Sequence, residues 1–199
     1  MCLPQVPFLK KEWFKSLKEL HEKWGGKFDG RDVEITQEIS SGTIVPSYAT
    51  LLTNVKGHKI YLSREIPGDG PYLEIYVYGD WKSKLYLSLE GIHDKFLKAI
   101  GLEHEIILEG TQVDIILFNR RYLIKGDPEE FISTFLSDGH IGDVINSMGN
   151  FWMLNIKGNI AKIIYDIESS EIIRADNLVD KINHFIDFLD VLGNKESGK

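Results

Sequence analysis

Apolar residues recur at three- and four-residue spacing in Trp13, Phe14, Leu17, Leu20 and Trp24, with Lys11, Lys15, Lys18 and Lys23 between them and Gly25-Gly26 behind. This period predicts an amphipathic helix over 11–24 that ends at glycine. The pattern then shortens to β-rich runs at Val33 to Ile39, Tyr48 to Val55, Lys59 to Ile66, Tyr72 to Tyr78 and Leu85 to Leu89. Runs so close together should pair as an antiparallel meander. Lys56-Gly57 and Pro67-Gly68-Asp69-Gly70-Pro71 supply the best-marked turns.

A helical spacing returns over Ile92 to Ile100, through Phe96, Leu97 and Ile100, and stops at Gly101. Strands are expected again at Glu105 to Leu108, Val113 to Phe118 and Tyr122 to Ile124. Asp127-Pro128-Glu129-Glu130 offers a capping acceptor, a proline for the first helical position and a glutamate able to reach back, so a helix should run from there to about Leu136. A short helix over Ile141 to Met148 precedes a hairpin of Phe151 to Ile156 and Ile160 to Ile167 around Lys157-Gly158-Asn159. In the last element, Leu178, Ile182, Phe185, Ile186 and Leu189 make an apolar stripe closed by Gly193, with Asp176, Asp180, Asp187 and Asp190 outside it. Such a helix lies across a sheet face. The tail from Asn194 to Lys199 is polar and should fray.

These elements predict an α+β fold in which antiparallel β-sheets are covered by an N-terminal helix over 11–24 and a C-terminal helix over 177–192. The chain is expected to form one compact unit over 1–199. Gly101 marks the junction between subdomain 1–101, a helix plus antiparallel meander, and subdomain 102–199, with strands, two short helices, the hairpin and the C-terminal helix.

Composition narrows this picture little: with 199 residues, 43% hydrophobic and 27% charged, the chain has an ordinary globular make-up. At that length it buries roughly 70% of its unfolded surface and needs neither metal nor disulfide to hold it. Its one cysteine, Cys2, rules out an intramolecular disulfide and any metal site built on two thiolates, and fits a reducing, cytoplasmic setting. No secretory or lipoprotein signal is recognised before Cys2, and no run is long and apolar enough for a spanning helix. Charge is more telling. Residues 1–27 carry six lysines against three glutamates, a net +3, so the remainder of this −7 chain carries −10. An acidic body is a poor match for a phosphate backbone, and nucleic acid is not an expected partner.

Three histidines sit near acids, in Glu90-Gly91-Ile92-His93-Asp94, Glu103-His104-Glu105 and His140-Ile141-Gly142-Asp143. Imidazole plus carboxylate can bind zinc or move protons, so His93, Asp94, His140 and Asp143 form the candidate metal set should the two segments converge. Their spacing matches no strong motif, and solvated polar residues are the simpler account of them. No Gly-x-Ser-x-Gly elbow, Gly-x-x-x-x-Gly-Lys-Ser/Thr loop or Gly-x-Gly-x-x-Gly turn occurs, so no nucleotide or other cofactor is indicated. Tyr72, Tyr76 and Tyr78 share one side of a strand by period-two alternation, and Tyr61, Trp81 and Tyr86 stand on or beside neighbouring strands. Such a row can stack bases or sugar rings, although strand-forming aromatics paired across a sheet are the simpler account of it. Tyr61, Tyr72, Tyr76, Tyr78 and Trp81 are the candidate binding surface.

From Phe118 to Leu192 the order of strand, Gly126-Asp127-Pro128-Glu129-Glu130 helix start, short helix, hairpin and closing helix resembles an uncharacterised family of prokaryotic α+β proteins. Members often carry membrane-spanning helices ahead of the soluble part, and no such helix is recognised in this sequence. The resemblance rests on apolar positions and transfers no catalytic site.

The function expected from these features is a non-catalytic binding or protein-interaction module, with a protein or small-molecule partner and an apolar pocket between sheet and helix as its site. A metal-assisted hydrolase through the histidine pairs is the first alternative. The second is a peripheral membrane-associated or oligomer-forming protein that uses the lysine-bordered helix over 11–24, with weak self-association. Docking of this helix on the chain's own core is the expectation, with Trp13 and Trp24 mostly buried, because burying several large apolar side chains is favourable wherever a complementary core exists.

Overall fold

A computed structural model describes residues 6–30, 49–65, 72–89, 105–108, 121–167 and 169–198. The expected strand over 33–39, the turn over 67–71, the helix over 92–100, the Gly101 junction and the strand over 113–118 lie outside the described residues, as do Cys2, His93, Asp94 and His104. The fold is α+β with antiparallel strand pairing. The chain divides into two compact units, one of residues 1–75 and 166–182 and the other of residues 76–165 and 183–199.

In the first unit, helix α1 (Val6–Trp24) is followed by strands β1 (Lys27–Gly30), β2 (Ala49–Val55), β3 (His58–Glu65) and the start of β4 (Tyr72–Tyr78), in the order β1-β2-β3-β4. Leu51 pairs with Leu62 and Thr53 with Ile60, which puts Leu51, Thr53, Ile60 and Leu62 on one side of the strands, all buried. The apolar stripe of α1 also points inward: Trp13, Leu17 and Leu20 are buried, and the Trp13 indole N–H donates to the Ala49 carbonyl at 2.9 Å. Trp24 is only half-buried, with its ring under the Lys23 ammonium and its carbonyl accepting from the Thr53 hydroxyl at 3.4 Å. Ser16 is buried as well, so the inward face is less purely apolar than the hydrophobic period implies.

Gly25 and Gly26 end α1 in left-handed conformations, with φ of 69° and 97°. The chain turns at once into β1, a strand the sequence does not announce, because Lys27-Phe28-Asp29-Gly30 is too short and polar to alternate visibly.

The second unit contains the end of β4, β5 (Lys84–Leu89), β6 (Tyr122–Asp127), α2 (Glu129–Leu136), α3 (Gly139–Ser147), β7 (Met153–Lys157) and β8 (Ile160–Asp166, whose last residue belongs to the first unit). Its strand order is β4-β8-β7-β5-β6. Leu85, Leu87, Ile124, Leu154, Ile156, Ala161 and Ile163 form one buried side by register. Gly126 lies on that side with Ile132 of α2 so close that an added Cβ would stand 2.6 Å from its Cγ1. Helix α2 therefore packs on this face.

A short 3₁₀ turn at Ser170–Ile173 leads into α4 (Ala175–Glu196), which lies in the first unit to Ile182 and in the second from Asn183. Leu178, Ile182, Phe185, Ile186 and Leu189 are buried as the stripe predicts. Phe188 and Leu192 are buried too, and Phe188 meets Phe135 of α2 edge-on at 5.8 Å.

Four expectations need correction. Asp127 does not cap α2. It closes β6 and takes the Lys84 ammonium at 2.7 Å, while Pro128 occupies the cap position with no side-chain hydrogen bond, and Glu129 and Glu130 face the helix N-terminus instead. Residues 105–108 form no regular strand, although the Ile106 N–H donates to the Ile124 carbonyl at 2.9 Å. Gly193 does not stop α4, because its carbonyl accepts from Ser197 and the helix runs on to Glu196. Residues 194–196 are consequently helical and not a frayed tail.

Candidate functional site

The side of the second unit opposite its packed face is polar and half-exposed, and its register lines up one residue from each strand. Lys125 on β6 pairs with Tyr86 on β5, Tyr86 pairs with Asn155 on β7, and Asn155 pairs with Lys162 on β8. The Lys162 ammonium then sits 5.0 Å from the centre of the Tyr76 ring on β4. The result is a transverse row, Lys125-Tyr86-Asn155-Lys162-Tyr76, in which every member is partly exposed.

The strands hold this row rigidly because each residue is flanked along its own strand by buried apolar neighbours: Leu85 and Leu87 around Tyr86, Leu154 and Ile156 around Asn155, Ala161 and Ile163 around Lys162. A shallow groove of about 260 Å³ opens here, lined by Lys84, Tyr86, Lys125, Asp127, Asn155 and Lys157. Among the described residues, this side of β5 to β8 carries Lys84, Lys125, Lys157 and Lys162 together with Asp127 and, at the end of β8, Asp166. Asp127 is already paired with Lys84. Toward the other strand ends the row Leu123, Ser88, Met153, Ile164 is more apolar and mostly buried, so the polar groove has a closed side.

The aromatic candidates from the sequence are distributed between the two units. Tyr61 and Tyr72 are half-buried in the first, on strands whose intervening Ser63 and Glu74 are buried and joined by a 3.1 Å hydrogen bond from the serine hydroxyl. Tyr76 and Tyr78 are half-buried in the second. Trp81 is 6% exposed. Its indole lies against Gly79, where an added Cβ would come within 2.6 Å of it, and the Trp81 backbone N–H donates to the Gly158 carbonyl at 3.2 Å. Trp81 thus plugs the connection after β4 and offers no ring to a ligand.

His140 and Asp143 are exposed on α3, where the backbone N–H of His140 is taken by the Asp138 carboxylate at 3.0 Å. Among the described residues no group of three or more His, Cys, Asp or Glu side chains could hold a metal. His93 and Asp94, the other half of the expected set, lie outside the described residues.

A second, wider cleft of about 870 Å³ runs along α2 beside Ile106, Ile107, Glu129, Glu130, Ser133, Thr134, Ser137 and Asp138. Its carboxylates have structural duties, at the first turn of α2 and at the start of α3, where Asp138 also accepts from Lys195 at 3.3 Å. Both contacts hold the Asp138 carboxyl below the ordinary aspartate range, the backbone N–H of His140 foremost.

Lys125, Asn155 and Lys162 were not evident as site residues in the sequence. Nothing local distinguishes them from other strand polar residues, and their alignment exists only in the non-local register.

The sequence matches no family model and no curated protein. Among solved structures, the crystal structure of the mycobacterial trehalose monomycolate transport factor A, TtfA, is similar, with a TM-score of 0.55 at 13% identity, over 92% of this chain and 96% of that one. At that identity the likeness is one of fold. It supports the resemblance noted over 118–192 at the level of a shared α+β architecture, and it extends well beyond that segment. Among the described residues, no helix is long and apolar enough to cross a membrane.

Proposed function

We propose that this chain is a non-catalytic binding module that engages a partner through the polar side of β5, β6, β7 and β8 in its second unit. The observation that carries this reading is the row Lys125-Tyr86-Asn155-Lys162-Tyr76, a set of half-exposed groups able to stack and hydrogen-bond, fixed on strands and not on loops. The groove, at about 260 Å³, falls below the ~300–1,000 Å³ usual for a small-molecule pocket, which favours side chains of a macromolecular partner over a metabolite. A fold shared with a protein described as a transport factor is in keeping with an accessory, partner-binding role.

The peripheral-membrane alternative has less behind it, since Trp13, Leu17 and Leu20, the residues that would enter a bilayer interface, are buried in the first unit.

The test is a thermal-shift and NMR screen of short peptides and common metabolites against the wild type and Tyr86→Ala. Peptide-induced shifts confined to β5, β7 and β8 and lost in Tyr86→Ala are the expected result. Turnover of any defined substrate, or peptide binding that maps to other residues, overturns the reading.

A further inference from the structure

We infer that Arg64, on β3 of the first unit, is an anion-binding residue that takes the carboxylate of a small organic ligand on the edge formed by its Nε and Nη2 groups. The inference does not depend on the binding face of the second unit.

Arg64 continues the inward alternation of β3. Ile60 and Leu62 are wholly buried on the packed side, and Arg64 is the next residue in that series. Leu62 pairs with Leu51, so Arg64 lies two residues further toward the end of β2 at which the Ala49 carbonyl holds the Trp13 indole. A guanidinium thus stands where the strand pattern calls for an apolar side chain, although part of the residue stays exposed.

Its Nε and Nη2 atoms are buried, and among the described residues neither has a hydrogen-bond partner. The two nitrogens share one edge of the guanidinium with their N–H bonds parallel, the side-on fork that matches the two oxygens of a carboxylate. Buried arginine donors are ordinarily satisfied, because a guanidinium does not shed its proton to escape the cost of desolvation. Burial is what lowers the ionisation of Arg64 from its ordinary value, with no charge of either sign among the described residues contributing. A group so placed is the complement of an anion supplied from outside the chain.

The lack of neighbouring charge also selects the anion. One guanidinium neutralises one negative charge, and a dianion such as phosphate would bring an uncompensated charge into the same apolar setting. A monocarboxylate brings none. Its oxygens occupy the fork, and the exposed part of Arg64 leaves the body of the ligand toward solvent.

The probe is sodium butyrate, titrated at neutral pH and constant ionic strength into the full isotope-labelled chain, with the Arg64 Nε–H resonance followed by NMR. Acetamide, chloride and inorganic phosphate are the comparison solutes. Saturable movement of that resonance by butyrate, and by neither acetamide nor chloride, is expected. Arg64→Lys keeps the charge but loses the fork, so butyrate binding read from the backbone amides of β3 should weaken roughly ten-fold or more. Arg64→Met keeps the aliphatic stem and should abolish the response. Without butyrate, Arg64→Met should melt at the wild-type temperature or above it, because an unpaired buried charge has been removed.

That melting temperature separates a ligand site from a structural arginine. A fall of several degrees would show that the chain itself pairs the guanidinium, and the inference would be wrong. An Arg64 resonance that ignores butyrate, or answers equally to chloride, overturns it as well. Phosphate binding more tightly than butyrate rejects the carboxylate as the ligand class.

Discussion

The Glu196 carboxylate, in the last residue of α4, accepts from Ser83, 113 residues away in sequence, through both the serine's backbone N–H at 2.8 Å and its hydroxyl. The neighbouring N–H of Lys82 joins at 3.0 Å. Ser83 is buried, so its donors have no water to turn to when the carboxylate is removed. Glu196→Ala should cost about 1–3 kcal/mol, the range for charge-assisted bonds whose buried partner is left unmade. For a chain of this size that is a fall of a few degrees in Tm. Glu196→Gln, which keeps one acceptor oxygen, should lose less. Calorimetry on the two variants and the wild type checks the order.

Trp13 should be the most costly single truncation in the first unit. Trp13→Ala removes a ring only 3% exposed and strands the Ala49 carbonyl, and losses of about 3–5 kcal/mol accompany such changes. Trp13→Phe keeps most of the packing and gives up the bond, so about 1–2 kcal/mol is expected. Urea unfolding at constant m resolves the pair. Equal stability of Trp13→Ala and the wild type would mean that α1 is not docked.

The helix and strand pattern of this chain is largely present in its sequence because the informative residues are local. Leu73, Ile75 and Val77 in β4 and the stripe Leu178, Ile182, Phe185, Ile186, Leu189 in α4 each record a buried apolar face. Three features escape for three different reasons. β1 is too short to show a period. Asp127 carries a capping signature that the Lys84 ammonium, a tertiary partner, takes over. Asn194 to Glu196 look like a frayed end until Ser83 gives Glu196 a reason to stay helical. The candidate site is the least legible of all. Tyr86 and Tyr76 attract notice as aromatics, but Lys125, Asn155 and Lys162 become a row only through contacts between residues up to 86 apart in sequence, as in Tyr76 and Lys162.

Gly25 and Gly26 should respond differently to the same substitution. Both have positive φ, which costs an ordinary residue about 1 kcal/mol or more. A Cβ on Gly25 meets nothing within 4 Å, whereas on Gly26 it runs into the Leu52 carbonyl and comes within 2.9 Å of the Thr53 Cα. Gly25→Asn should therefore be nearly neutral, since asparagine tolerates that conformation, and Gly25→Ala should be mildly destabilising. Gly26→Ala should force the α1–β1 turn open and lower stability by several times the Gly25→Ala loss. Parallel denaturant titrations decide it, and equal effects would refute the close approach.

Acid should loosen the start of α3. With its carboxyl held below the ordinary range by the His140 N–H and by Lys195, Asp138 binds protons less readily folded than unfolded. The unfolded state then binds more protons near the carboxylate range, stability rises with pH there, and Asp138's contribution is complete above the unfolded value and lost as pH falls through the lower folded one. Asp138→Asn keeps an acceptor for the helix N-terminus but does not titrate, so the difference in stability between wild type and variant should shrink as pH is lowered from neutrality through the carboxylate range. Urea midpoints for both proteins over that span measure the difference.

Base should act through Tyr165. Its ring is 1% exposed, its hydroxyl donates to the Met148 carbonyl at 3.0 Å, and burial, with the Tyr122 phenol a smaller contributor, pushes its ionisation far above the ordinary phenol value. Burial also raises Tyr122, with Arg121 opposing. A phenolate cannot keep that donated bond and is poorly solvated in the core, so the folded state resists deprotonation that the unfolded chain accepts. The stabilisation is fully present below the unfolded phenol value and declines as pH rises above it. Of the eight tyrosines, at least Tyr165 should therefore stay un-ionised in an absorbance titration until the protein unfolds, appearing as a late step coincident with loss of near-ultraviolet circular dichroism. Tyr165→Phe should abolish that residue's share of the step and, by stranding the Met148 carbonyl, lower stability at neutral pH by about 1–2 kcal/mol. Smooth ionisation of all eight phenols in the folded protein would show that Tyr165 reaches solvent, and would remove the buried bond at the end of β8 as a source of stability.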